Sequence, residues 1–187
     1  MKIGAFASFF APSTPPERLI RLAEALDQNG LDSLWFGEHV VLFDEMEFGY
    51  PGSRDGKLPI PDGLGVPDQA TIISYLASHT KQLRFGTGIS LISQRNPIYT
   101  AKEFATLDWL TQGRIDLGVG VGWCKEEVLA CGYEFDDRGA RCDEALTLMN
   151  KLWSQPVINH SGPHFKVTDA KMDPKPVNGS IPLIIGG

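Results

Sequence analysis

The sequence predicts an α/β protein built on a parallel sheet of about five short strands. Short apolar runs alternate with stretches of helical periodicity along the chain. Those runs are continuously apolar, as in strands covered on both faces. Three of them end in glycines, at 86–88, 118–122 and 186–187, and carboxyl ends of strands are where α/β proteins place their ligands.

Lys2 to Ser8 reads as the first strand. Thr14-Pro15-Pro16-Glu17 fits a capping box, and Leu19, Leu22, Ala23 and Leu26 then line one helical face until Asn29-Gly30 stops it. Leu31 to Gly37 is the second strand, with Glu38-His39 just past its end. Residues 40–66 are a long connection rich in proline and glycine, the kind of loop that serves as a lid or binding loop. Pro67-Asp68 restarts a helix with Ile72, Ile73, Leu76 and Ala77 inward. Leu83 to Leu91 is the third strand. Asn96-Pro97 opens the next helix, Asn as cap and Pro at the first helical position, and Gly113 is expected as its left-handed end. Ile115 to Val121 is the fourth strand, Arg138 to Trp153 a helix, and Val157 to Val167 a small hairpin. Leu183-Ile184-Ile185 is the fifth strand.

With 187 residues and no internal linker, residues 1–187 read as a single domain. A net charge of -6 without a basic stripe argues against nucleic acid as partner. No apolar run approaches the roughly 20 residues of a membrane span, and Met1-Lys2-Ile3-Gly4 enters a strand directly, without a signal-peptide layout. Three cysteines lacking CxxC spacing suggest reduced thiols and a cytoplasmic location. Two architectures suit the element order: an open doubly wound sheet, or the first part of a (β/α)8 barrel, which needs about 250 residues. Ending on a strand points to a truncated chain.

Glu38-His39 sets a carboxylate beside an imidazole at a strand end, a general acid/base pair as readily as a structural, hydrogen-bonded histidine. Gly118 to Gly122 fails the dinucleotide pattern because Trp123 occupies the third glycine's place, and Gly86-Thr87-Gly88 fails with Leu91 there. His160 and His164 are separated by Gly162-Pro163, so no helix pairs them, and no metal site is expected. Cys124, with no histidine beside it in sequence, reads as an inert thiol.

The ordered set Gly30-Leu31-Asp32-Ser33-Leu34-Trp35-Phe36-Gly37-Glu38-His39, Leu83 to Ile89, Arg95-Asn96-Pro97, Ala105 to Asp108, Gly113 through Trp123, Phe135 to Glu144, Pro174-Lys175-Pro176 and Ile184 to Gly187 resembles the bacterial-luciferase-like superfamily. Within it, the resemblance is to the deazaflavin-dependent oxidoreductases that use coenzyme F420. The resemblance implies a truncated TIM (β/α)8 barrel, helices outside, with a small hairpin insertion. It implies hydride transfer between F420 and a small organic substrate, or alternatively monooxygenation with reduced flavin mononucleotide (FMN). A catalytically inactive half-barrel acting as a binding or assembly module is the alternative of another class. The intact protein is expected to be a homodimer. His39 and Glu38 are the expected catalytic pair. The cofactor is expected against Gly86, Thr87, Gly88, Ile89, Ser93, Gly120, Gly122, Trp123, Gly186 and Gly187, with a non-prolyl cis peptide at Gly88-Ile89. Ile3, Leu34, Phe85 and Ile184 are expected on the concave side of the sheet.

Overall fold

A computed structural model of the chain describes residues 1–186; Gly187, expected at the cofactor, lies outside them. The sheet forms as its apolar runs require. β1 (Gly4–Ala7), β2 (Ser33–Phe36), β3 (Arg84–Thr87), β5 (Ile115–Gly120) and β8 (Leu183–Ile185) lie side by side in that order, every pairing parallel. The third run is broken at its end: a two-residue strand, β4 (Ser90–Leu91), also pairs with β5 after the cis peptide Gly88-Ile89. Consecutive order with strand 1 at the edge excludes the doubly wound alternative, in which strand 1 sits centrally.

The helices are α1 (Pro16–Gln28), α2 (Gln69–Ala77), α3 (Pro97–Thr111), α4 (Lys125–Ala130) and α5 (Arg138–Ser154), and β6 (Ile158–Ser161) with β7 (Lys166–Ala170) form the expected hairpin. Asn96 caps α3 by accepting from the Ile98 and Tyr99 amides, and Asp68 caps α2 by accepting from Thr71. Two local expectations are corrected. α1 starts at Pro16 with Pro15 in the cap position, so Thr14 sits one residue too early to cap it; the Thr14 amide donates to Phe10 instead. The left-handed turn after α3 begins at Gln112, φ 57°, ahead of Gly113 at φ 83°. The sequence reading also missed α4, six residues of charged and apolar character that look like a loop.

Sheet register decides which side chains meet the helices. Leu34, Phe85 and Ile115 are register partners and wholly buried, in one core with Leu19, Ala23, Ile73, Leu76 and Phe104 of the helices. Leu34 and Phe85 therefore face outward to the helices, and their expected concave placement is wrong by one residue of pleat. Trp35, Gly86 and Asp116 share the other face. Trp35 fills it, its Nε1 donating to Ser33 Oγ at 2.8 Å. A Cβ at Gly86 would lie 2.4 Å from the indole, so glycine is needed there for close approach.

Candidate active site

Beyond Phe36 the chain leaves the sheet on the carboxyl rim, and three segments converge. The Phe36 carbonyl accepts from the Gly88 amide at 2.7 Å and from Gln69 Nε2 at 2.8 Å, and the same Gln69 amide reaches the Ile89 carbonyl at 3.3 Å. The Ile89 side chain drops into space left by two glycines: a Cβ on Gly120 would lie 2.0 Å from it and one on Gly186 2.6 Å. The rim is thereby shaped by absent side chains on two strands.

Above it lies a cavity of about 580 Å³, bordered by His39, Gly88, Ile89, Gly122, Trp123 and Gly186 and roofed by the 40–66 connection through Tyr50, Leu58 and Ile60. That connection carries no helix or strand. It is tethered by Ala11 and Gly65, which exchange amide hydrogen bonds at 2.9 and 3.0 Å, and by the Tyr50 ring at 5.5 Å from Trp123.

His39 stands at the cavity wall with a carboxylate behind it. Its Nδ1 lies 2.9 Å from Oε2 of Glu127, a residue with no exposed surface, whose Oε1 accepts from the Val40 amide at 2.5 Å. A carboxylate partner makes Nδ1 the proton-bearing nitrogen and leaves Nε2 for another partner. The Trp123 ring meets the imidazole edge-on at 6.0 Å.

Glu38 borders the cavity too, but its carboxylate is committed elsewhere. Oε1 accepts from Arg95 Nη2 at 2.6 Å and Nε at 2.9 Å, and Oε2 from the Leu91 amide at 2.6 Å. Burial works against the Arg95 charge, yet Glu38, Glu103 and Asp68 around it raise its pKa above the ordinary arginine value. Both Glu38 oxygens are thus engaged, and the pair braces β4.

The expected cofactor residues divide the same way. Gly88, Ile89, Gly122, Trp123 and Gly186 reach the cavity. Thr87 and Ser93 do not: both are fully buried, Thr87 donating to the Gly118 carbonyl at 2.7 Å and Ser93 to that of Val121 at 2.6 Å. Gly86 faces Trp35, and Gly120 makes room for Ile89 behind the cavity. Cys124 is buried, which pushes its thiol up and keeps it protonated near neutral pH, as an inert thiol should be. Among the described residues no group of three His, Cys, Asp or Glu is placed to hold a metal ion, and no helix is long and apolar enough to cross a membrane.

Glu127 and Gln69 were not singled out from the sequence. Gln69 follows the cap Asp68 and looks like any first-turn residue. The one available signal for Glu127 was position: it sits in the first turn of a helix starting directly after the rim segment Gly122-Trp123.

The family model for luciferase-like monooxygenases matches residues 1–187. The chain belongs to that family. An uncharacterized protein of Mycobacterium tuberculosis is 30% identical over 171 residues, 91% of this chain and 60% of that protein. The F420-dependent glucose-6-phosphate dehydrogenase of Amycolatopsis mediterranei is 29% identical over 94% of this chain and 49% of its own length. Among solved structures, an F420-dependent secondary alcohol dehydrogenase bound to an F420–acetone adduct superposes with TM-score 0.78 at 25% identity, covering all of this chain and 52% of that one. The monooxygenase RslO1 of Streptomyces bottropensis, TM-score 0.79 at 24% identity over 99% of this chain and 53% of its own, shares the fold. The chain thus spans about half to three-fifths of the relatives it matches.

Proposed function

We propose that the protein binds a flavin or deazaflavin ring in the rim cavity and works as an oxidoreductase, with coenzyme F420 preferred to FMN. One observation carries this reading: a carboxylate-backed imidazole, His39–Glu127, opens onto a largely apolar cavity at the carboxyl rim, where active sites of (β/α)8 barrels lie. The cavity's size falls in the range of small-molecule sites, and Gly37, Gly88, Gly122 and Gly186 offer backbone without side chains for a flat ring to approach. F420 is favoured because two of the relatives above are F420-dependent dehydrogenases. The second reading, an FMN-dependent monooxygenase, is favoured by the description of the matching family.

When bound, the deazaflavin supplies hydride transfer, and the flavin would supply oxygen activation. The chain's own residues orient the reactants and handle the proton. His39 takes or returns a proton at Nε2, while Glu127 keeps its ring oriented through Nδ1. Trp123 and the 40–66 connection wall off water. We further propose a small-molecule substrate, a cytoplasmic location and a homodimer for the whole protein. Titration of the full-length protein with F420 and FMN, followed by cofactor fluorescence, tests the ranking: F420 should bind more tightly, and tighter FMN binding reverses it.

A further inference from the structure

Between Thr87 and Ser90 the third apolar run leaves the sheet. The β2–β3 ladder ends at Phe36 and Thr87, and the β4–β5 ladder begins only at Ser90. Gly88 and Ile89, which border the cavity, lie in the gap between the two ladders. Three groups span that gap and tie it to residues 36–38. The Gly88 amide donates to the Phe36 carbonyl at 2.7 Å, and the Leu91 amide donates to Glu38 at 2.6 Å. Gln69 Nε2 donates to both the Phe36 and the Ile89 carbonyls, at 2.8 and 3.3 Å. Of the three, Gln69 alone comes from outside the two rim segments. It stands in the first turn of α2, next to Asp68, which caps the helix at Thr71 and faces Arg95. Gln69 has no exposed surface, yet among the described residues its Oε1 meets no donor. A buried amide with an unpaired oxygen is a costly choice for the fold. An apolar side chain of the same length would fill the place without that cost, so what singles out glutamine here is the pair of bonds its nitrogen donates.

Building on the oxidoreductase reading, we propose that Gln69 is a positioning residue of the rim site. It holds the strand end that carries His39 at a fixed offset from the Gly88–Ile89 backbone, against which the ring would lie. Gln69 itself does not border the cavity, so it acts through these two segments. Its Nε2 carries two hydrogens and gives one to each carbonyl, so the segments cannot drift apart without losing a bond. The Glu38 bridge is no substitute, because it lands on Leu91, beyond the gap. Without Gln69, His39 is free to shift relative to Gly88 and Ile89, and a misplacement of about 1 Å at a reacting group can cost about 10²-fold in rate.

The test uses the full-length protein with Gln69→Met, which keeps the length and loses the donor, and Gln69→Asn, which keeps the amide one carbon shorter. Two readouts are taken: NMR signals of the His39 imidazole and of the β6–β7 hairpin in the ligand-free protein, and steady-state kinetics with cofactor. Both variants should shift the His39 signals, leave those of the hairpin in place, and lower kcat by about 10²-fold with KM little changed. Unmoved His39 signals overturn the proposal, and so does a kcat equal to that of the unaltered protein. Shifts that extend equally to the hairpin overturn it as well, since Gln69 would then serve the whole fold. If Gln69→Met does not fold, Gln69→Asn decides by the same readouts, and failure of both to fold overturns the proposal. An unaltered protein that turns over nothing with F420 or FMN defeats the oxidoreductase reading instead, and the His39 signals then decide on the tether alone.

Discussion

His39 and His160 are each held by a glutamate at 2.9 Å, Glu127 fully buried and Glu144 half-buried, and each glutamate also accepts from the backbone. Glu127 takes the Val40 amide; Glu144 takes those of His164 and Phe165 at 3.0 and 2.9 Å. As isolated pairs they are the same chemistry. They differ in what the imidazole faces. His39 borders the cavity, between Trp123 and the rim. His160 turns its remaining nitrogen, Nδ1, towards Lys151 at 3.5 Å, on the seam where the β6–β7 hairpin docks on α5. A histidine–carboxylate pair is therefore no mark of catalysis by itself. The second nitrogen has to open onto a space that a reactant can enter.

The sharpest test of that contrast is to remove each imidazole. His39→Asn should lower kcat by about 10²–10⁴-fold, the usual worth of a positioned acid/base group, while His160→Asn leaves kcat unchanged. Steady-state kinetics of the cofactor-loaded, full-length protein would break the comparison if both variants lost activity equally. Removing each carboxylate has a smaller, shared effect. Glu127→Ala leaves one backbone amide and an imidazole without a partner, Glu144→Ala two amides and an imidazole, and each should cost about 1–3 kcal/mol in urea unfolding. Only Glu127→Ala should also lower kcat more than it changes KM. Glu127→Gln should recover the lost stability without recovering kcat, since a neutral amide accepts from Val40 but does not offset the charge of an imidazolium. A Gln variant with full kcat would show that Glu127 serves the fold alone.

Sheet order, the four longer helices and the hairpin were legible because each rests on local pattern: apolar runs, the Asn96 and Asp68 caps, the Asn29-Gly30 stop. The faces of the strands were less so. A run such as Leu34-Trp35-Phe36 is apolar on both sides, and nothing in it says that Trp35 points inward while Leu34 meets the helices. At the site, His39 and the rim glycines 88, 122 and 186 could be read from their places at strand ends. Which glycines face a ligand and which face a neighbour could not, because Gly86 and Gly120 differ from the others only in what lies across from them: Trp35 and Ile89. Glu38 was singled out from the sequence and Glu127 was not, for the same reason. Glu38 adjoins His39 in sequence but pairs with Arg95, 57 residues on, and the glutamate that holds His39 is 88 residues away.

The smallest expected effect separates the two pairs by pH. Burial raises the Glu144 pKa, but the hydrogen bond from His160 and those from the His164 and Phe165 amides outweigh it and hold the carboxyl below its ordinary value. A depressed folded-state pKa means that the unfolded chain takes up this proton more readily. The stabilising contribution is thus complete above the ordinary glutamate range, about 4.3, and is lost as pH falls through the lower folded value. What it holds is local: protonated Glu144 can no longer accept from all three partners, so the hairpin turn should loosen before the sheet does. Amide exchange of residues 158–170, followed from pH 6 down to pH 3, should show protection falling in that window, after correction for intrinsic rates. The Glu144→Ala variant should start from lower protection and show no further step. A step of the same size in both proteins would assign the acid sensitivity to some other carboxylate.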